Sequence, residues 1–177
     1  MRKLFFATLL VLFAMKPATA QQLARPEVPD KLSPPATEKL ILQAHGSGDQ
    51  IYVCQPSLDQ KLSWILKAPD AQLFDAQNKV IAKHFAGPTW KHNDGSEVVG
   101  KVSARADSPD ANAIPWLLLT AASHTGDGAF ATVTFIQRLH TKGGQPPQTG
   151  CDDAHRNAET KSAYSADYYF YAPNNTF

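Results

Sequence analysis

The feature that most constrains the fold of this chain is a series of short apolar segments rich in β-branched and aromatic residues. Gly, Pro, Asn and Asp separate these segments, as is typical of β-strands joined by tight turns. No segment beyond the N-terminal twenty residues keeps apolar residues at helical spacing. The sequence therefore predicts an all-β domain, with strands at residues 39–44, 51–54, 62–67, 72–75, 79–85, 97–105, 114–122, 129–139 and 164–171.

The connections between the segments are mostly short, which favours antiparallel hairpins. We expect an antiparallel β-sandwich, with a closed or partly open β-barrel as the alternative. One hairpin turn is predicted at residues 45–50 (HGSGDQ), a polar, Gly-rich stretch between the first two apolar segments.

The N-terminus has the pattern of an export signal. Arg2 and Lys3 precede an apolar run at residues 4–15, and small residues follow at positions 18–20. The apolar run is shorter than the roughly 20 residues that a membrane-spanning helix needs. We therefore expect residues 1–20 to be a signal peptide, the mature protein to be exported to the periplasm or secreted, and the mature chain to contain no membrane span.

The remaining chain divides by composition into two parts. Residues 21–36 contain four prolines and little apolar periodicity, which predicts an extended arm, and residues 37–177 have the size of a single β domain. The whole chain has 17 Lys and Arg against 16 Asp and Glu. Without a clustered basic field, nucleic acid is not an expected partner.

Two cysteines, Cys54 and Cys151, favour a disulfide bond in an exported chain. Free thiols or a metal site are the alternatives, but the chain has no CxxC spacing.

Several ordered motifs carry a resemblance over most of the chain. They are IYVCQ from residue 51, WILKAPDAQLFD from 64, GPTWKHNDGS from 87, IPWLLLTAA from 114, VTFIQRLHTKGG from 133, GC at 150 and YYFY from 168. With these motifs the chain resembles the Domain of Unknown Function family three-four-five-five, which comprises exported bacterial and secreted fungal proteins. The resemblance implies no particular activity.

Some fungal members of that family are labelled malate dehydrogenase, and the residues do not support this label. Residues 126–131 (GDGAFA) match the string G-x-G-x-x-A, but an alternating, β-branched segment follows instead of the helix that a dinucleotide site requires. The chain also lacks the G-x-S-x-G, H-E-x-x-H and P-loop motifs. We expect no nicotinamide-dependent dehydrogenase and no bound cofactor, and we favour a protein that is not an enzyme.

The stretch at residues 87–96 (GPTWKHNDGS) allows a structural and a functional interpretation. Its Asn-Asp-Gly core predicts a tight hairpin turn. If the flanking strands pair, His84, His92 and Asp94 could share a face and supply three ligands for zinc or a similar divalent ion.

Three other side chains are candidates for binding a ligand. Trp90 and Trp116 offer large apolar areas that suit either core packing or stacking on a ligand. In the alternating segment that contains Gln137 and Arg138, one of these two polar side chains should face the core. A buried Arg needs a partner, which could be a carboxylate of this chain or an anion of a ligand. The carboxylates considered are Asp94, Asp152, Asp153 and Asp167.

These residues favour an exported binding or structural module for a small molecule, a glycan or a surface partner. The first alternative is a metal-dependent or hydrolytic enzyme that uses His84, His92 and Asp94. The second is a small outer-membrane barrel, suggested by the number of strands and a terminal Phe177.

Overall fold

A computed structural model describes residues 23–174. The predicted signal peptide and Phe177 lie outside the described residues. The described chain forms eight strands, and two short 3-10 turns lie at Asp30–Leu32 and Asp153–His155. The strands are β1 (Glu38–Pro56), β2 (Leu62–Phe74), β3 (Val80–Phe85), β4 (Thr89–His92), β5 (Glu97–Ala106), β6 (Trp116–Thr125), β7 (Phe135–Gly143) and β8 (Glu159–Pro173). The predicted all-β class is confirmed. Within residues 23–174, no helix has the length and apolar character needed to cross a membrane.

The eight strands form one antiparallel sheet that closes on itself. Each strand pairs with the next in sequence, and β8 also pairs with β1, from Glu38 opposite Pro173 to Val53 opposite Glu159. The architecture is therefore the closed barrel, which was the alternative, and not the preferred sandwich of two sheets. Both architectures need the same alternating strands, and what separates them is the pairing of the first strand with the last.

The hairpin turn predicted at residues 45–50 is wrong, because β1 runs through this stretch as one strand. Its glycines allow neighbouring strands and side chains to pack closely, and they do not form a turn. A Cβ atom on Gly46 would lie 2.5 Å from a ring carbon of Tyr168, and one on Gly48 would lie 2.2 Å from the carbonyl oxygen of Asp70. Glycine inside a strand is typical of such close approaches.

Strand β2 likewise unites two segments that were predicted as separate strands. Its register against β1 shifts between Leu66 and Ala68, so Lys67 forms a bulge beside Pro69. A proline inside a sheet is normally confined to such irregular positions or to an edge, because it has no N–H group to donate. The bulge bends the wall of the barrel without interrupting the strand.

Because the strands alternate in direction, the connecting loops fall into two groups at opposite ends of the barrel. We call the end with residues 57–61, 86–88, 107–115 and 144–158 the open end, and the end with residues 75–79, 93–96 and 126–134 the closed end. Phe130 from the last of these loops is fully buried and stacks on Phe170 at 4.6 Å between ring centroids. Aromatic packing thus fills the closed end.

The N-terminal arm lies on the outer face of the barrel. Leu32 is 0% exposed and packs in a cluster of outward-facing side chains. Its carbonyl oxygen accepts a 2.7 Å hydrogen bond from Gln137 Nε2. The other buried members of the cluster are Leu40, Leu118, Leu139, Tyr169 and Tyr171. Residues 23–36 of the arm form no strand with the sheet, yet they cover the apolar part of the outer surface as part of the folded domain.

The predicted disulfide between Cys54 and Cys151 is confirmed, with 5.3 Å between the Cα atoms. It joins the end of β1 to the loop of residues 144–158 at the open end. The same loop accepts a 2.9 Å hydrogen bond at the Thr149 carbonyl oxygen from Trp64 Nε1. Both contacts hold the loop against the barrel wall.

Candidate ligand-binding site

A cavity of about 700 Å³ occupies the barrel at its open end. Its walls are mostly apolar and include Leu66, Val102, Ile114, Leu117 and Leu119, while its polar lining includes Gln50, Tyr52, His84, Trp90, Arg138 and Gln145. Small-molecule sites have volumes of roughly 300 to 1,000 Å³ and combine apolar walls with a few polar groups. The cavity has the size and the lining of such a site.

Arg138 faces this cavity from the middle of the barrel wall. It lies on β7 opposite Leu117 of β6 and Tyr168 of β8, on the same side of the strand as the core residue Ile136. Gln137 faces the other way and is buried beneath the arm. Arg138 is therefore the one of these two polar side chains that turns inward. Gln137 is buried and Arg138 is partly buried.

The guanidinium group of Arg138 has an incomplete set of partners. Its Nη2 donates a 2.9 Å hydrogen bond to the carbonyl oxygen of Pro115, but its buried Nε has no acceptor within residues 23–174. Among these residues Arg138 forms no ion pair. Of the two kinds of partner that the sequence allowed, a carboxylate of this chain is therefore not found in the described structure.

The four carboxylates considered as partners of Arg138 are engaged elsewhere. Asp94 contacts His92, Asp152 contacts His155, Asp153 contacts Arg156, and Asp167 lies between His45 and His140. No Asp or Glu belongs to the described lining of the cavity, which does include the basic residues Lys67, Arg105 and Arg138. Lys67 forms an ion pair with Glu159 outside the lining, so among the described residues Arg105 and Arg138 give the cavity lining its positive charge.

Two further donors in the cavity lining are buried without an acceptor in the described structure. They are Gln50 Nε2 and Trp90 Nε1, and each side chain is 1% exposed. Leaving a buried donor unpaired costs about 1 to 3 kcal/mol, so folded proteins rarely leave several in one place. Counting Arg138 Nε, three residues that line one cavity thus each carry a buried donor without a partner in the described structure.

His84 is a buried, neutral member of the same lining. Its ring stacks on Trp90 at 4.3 Å between centroids, with 6° between the ring planes. Because a carbonyl oxygen only accepts, the 2.9 Å contact with the Thr89 oxygen assigns the proton to Nδ1 and leaves Nε2 as an acceptor. Burial lowers the pKa of His84 to about 3.

The lowered pKa of His84 predicts a loss of stability in mild acid. Below pH 6.5 the unfolded chain takes up a proton at this residue while the folded chain stays neutral, so stability falls as the pH drops from 6.5 toward 3. We expect this residue to account for about 2 kcal/mol of lost unfolding free energy between pH 7 and pH 5. Urea unfolding of the wild type and of His84→Asn at both pH values measures it. Asn retains a donor for Thr89 without titrating, and an equal loss in both proteins would contradict the prediction.

The predicted metal site is not formed. The register places Trp90 opposite His84 and Ala82 opposite His92, and the ring of His84 packs against Trp90 inside the barrel. His92 instead contacts Asp94, with 2.9 Å between Nδ1 and Oδ2. Within residues 23–174, no three His, Cys, Asp or Glu side chains are grouped closely enough to hold a metal ion. The expectation that His84 converges with the other two is therefore corrected.

Asp94 has a structural environment at the closed end. Its carboxylate accepts hydrogen bonds from the backbone N–H and the hydroxyl of Ser96, at 2.8 and 2.6 Å, and from the backbone N–H of Ala129 at 2.8 Å. These hydrogen bonds, with that of the Ser96 hydroxyl foremost, hold the pKa of Asp94 far below its usual range. Asp94 thus ties the β4–β5 turn to the loop of residues 126–134.

The turn predicted within GPTWKHNDGS is confirmed. The N–H of His92 donates to the carbonyl oxygen of Ser96 at 2.9 Å, and Gly95 adopts a positive φ of 96°. Residues 126–131 form a loop that leads to β7, so the segment predicted as a strand from residue 129 becomes a strand only at Phe135. A Cβ on Gly128 would lie 2.4 Å from Asp94 Oδ2, so this glycine serves a close contact.

The three predicted ligand-binding residues do not share one location. Trp90 and Arg138 line the cavity, and Trp90 is also a buried core residue, as its packing interpretation predicted. Trp116 packs with the outer cluster beneath the arm and meets His140 edge to face at 5.4 Å. Sequence reasoning missed Gln50, which lies in the stretch interpreted as a turn. With β1 taken as one strand, alternation from Ala44 would have placed Gln50 on the inner face.

A family model described as "Protein of unknown function (DUF3455)" matches residues 35–172, a span that includes all eight strands except the last residue of β8. No curated protein matches the chain, and no solved structure matches it either. The family match covers well over half of the chain and agrees with the resemblance of the ordered motifs. The protein with this closed barrel and its positively charged cavity is therefore a member of the DUF3455 family of proteins of unknown function.

Proposed function

We propose that the protein is a binding module that takes up one small organic molecule inside the open end of its barrel. The observation that carries this proposal is the set of three buried, unpaired donors on residues that line a cavity of about 700 Å³. A ligand with acceptor atoms would satisfy these donors.

The architecture supports the proposal. An eight-stranded barrel has an interior just wide enough to be filled by side chains or to hold one small ligand. Here the aromatic residues fill the closed end, and the open end retains the cavity. Export of the protein belongs to the same proposal, because a disulfide is compatible with an oxidising compartment.

The binding role is favoured over the enzymatic alternative. That alternative depended on His84, His92 and Asp94 acting together, and in the described structure they form two separate groups. The cavity supplies positioned donors and apolar walls, which are the requirements of binding.

The uncharged fluorescent probe N-phenyl-1-naphthylamine tests whether the cavity takes up an organic molecule. We expect saturable binding with an increase in probe fluorescence at a stoichiometry of one probe per chain. Leu117→Trp enlarges a side chain in the cavity lining and should weaken binding at least tenfold. Ala122→Trp, at an exposed position of the same strand, is the matched control and should bind like the wild type. Absence of saturable binding, or equal binding by all three proteins, would overturn the proposal.

A further inference from the structure

We infer that the ligand is an organic oxyanion with an apolar body, and that Arg138 holds its charged group. This inference rests on the proposed function and adds the chemical class of the ligand. It depends on the hydrogen-bonding type of the unpaired atoms, on the charge of the cavity and on the apolar walls.

The buried atoms that lack a partner in the cavity lining all have the same hydrogen-bonding type. Gln50 Nε2, Trp90 Nε1 and Arg138 Nε each carry N–H groups, and none of them is an acceptor. A carboxylate or phosphate group offers several acceptor lone pairs on closely spaced oxygens and donates nothing when ionised. A ligand group of this type is the natural complement of three donors.

The charge of the cavity leads to the same class of ligand. A cation removed from water needs an opposite charge or several acceptors, and Arg138 has one carbonyl acceptor in the described structure. Burial raises the pKa of both Tyr52 and Tyr168, and the Arg138 charge acts against each rise, so this charge is felt by neighbouring hydroxyls. No carboxylate in the described lining offsets it. The missing negative charge would arrive with the ligand.

The apolar walls of the cavity favour an organic anion over a bare inorganic anion. Leu66 and Val102 are 52% and 47% exposed, and Ile114, Leu117 and Leu119 lie in the same lining. An inorganic ion would leave this apolar area in contact with water. Burying it contributes about 25 cal/mol for each Å² removed from water, which favours an organic body joined to the anionic group.

The side chain of Arg138 is suited to a planar oxyanion. Its guanidinium group presents donors in a fixed fork that matches two oxygens of a carboxylate, whereas a Lys ammonium acts as a point charge. The hydrogen bond to the Pro115 carbonyl fixes one arm of this fork, and the buried Nε has no acceptor in the described structure. Arg138 is therefore placed to orient the ligand as well as to attract it.

Isothermal titration with three matched probes tests the inference. The probes are 2-naphthoate, its uncharged amide 2-naphthamide, and 2-naphthyl phosphate. We expect wild-type protein to bind 2-naphthoate or 2-naphthyl phosphate at least tenfold more tightly than 2-naphthamide, and the tighter of the two anions identifies the type of oxyanion.

Variants of Arg138 assign the preference to this side chain. Arg138→Met should abolish the preference for the anions while leaving the affinity for 2-naphthamide within about threefold. Arg138→Lys keeps the charge without the fork, so it should retain a reduced preference, and it serves if Arg138→Met does not fold. Lys83→Met, which removes an exposed cation of β3 outside the cavity lining, is the matched control and should retain the preference.

The outcomes separate the inference from the proposed function. Equal affinity of the wild type for 2-naphthoate, 2-naphthyl phosphate and 2-naphthamide would overturn the inference while leaving the cavity as a binding site. An unchanged preference in both Arg138 variants would also overturn it. If N-phenyl-1-naphthylamine fails to bind in a saturable manner, the proposed function itself falls.

Discussion

Replacement of Cys54 and Cys151 by alanine is expected to lower the free energy of unfolding by about 4 to 5 kcal/mol. The disulfide joins residues that are 97 positions apart, so it restricts the conformational freedom of the unfolded chain through a long closed loop. The free energy of unfolding of a typical domain is about 5 to 15 kcal/mol, so the double variant should lose a large fraction of its stability. Urea denaturation followed by tryptophan fluorescence, at equal pH and temperature, measures the difference.

Reduction of the wild type provides the control for this prediction. Cys54 is fully buried, and its replacement removes a sulfur atom from a packed environment as well as the cross-link. Wild-type protein unfolded in the presence of a thiol reductant loses the cross-link and keeps both sulfur atoms. We expect the reduced protein to account for most of the loss, and a difference below about 1 kcal/mol between oxidised and reduced protein would contradict the prediction.

Leu32→Ala in the N-terminal arm is expected to destabilise the protein by about 2 to 4 kcal/mol. Leu32 is 0% exposed and packs on the outer cluster of the barrel, where its own carbonyl oxygen also accepts a hydrogen bond from Gln137. Truncation of the side chain removes apolar contact and leaves a cavity between the arm and the sheet. The free energy of unfolding from urea titration measures the effect.

Leu23→Ala is the matched control, because Leu23 lies in the same arm but is 42% exposed. This substitution should change the free energy of unfolding by less than about 0.5 kcal/mol, as exposed positions usually do. Similar effects of the two substitutions would show that the arm does not pack as described. A large effect at Leu32 alone would establish that a segment without any strand contributes to the stability of the barrel.

The all-β class follows directly from the sequence, but closure of the sheet does not. Segments such as residues 79–85 and 97–105 are β-branched and alternate, which is enough to identify strands. A sandwich and a barrel use the same alternation, and the distinction arises from pairing between β1 and β8 at the two ends of the chain. Gly46 and Gly48 made a turn the favoured prediction within β1, since glycine is typical both of turns and of positions of close packing.

Individual residues of the candidate site could be predicted from the sequence, but their grouping around one cavity could not. Arg138 and Trp90 stand out by their chemistry, yet they lie on β7 and β4, which are not neighbours in the sheet. Their common cavity depends on curvature and register that no local pattern specifies. Conversely, His84 and His92 lie on adjacent strands, but the pairing of His84 with Trp90 separates the two imidazoles into different environments.

The pairing of β1 with β8 also constrains how the molecule can fold. Most of the fifteen paired positions from Glu38–Pro173 to Val53–Glu159 join residues more than 110 positions apart, so the contact order is high and folding should be slow compared with that of a helical domain of this size. Until β8 is in place, β1 and β7 each present an open edge with unpaired backbone groups that another chain can join. A chain that ends before Glu159 would keep both edges permanently. The last strand is therefore what protects the protein from edge-to-edge aggregation.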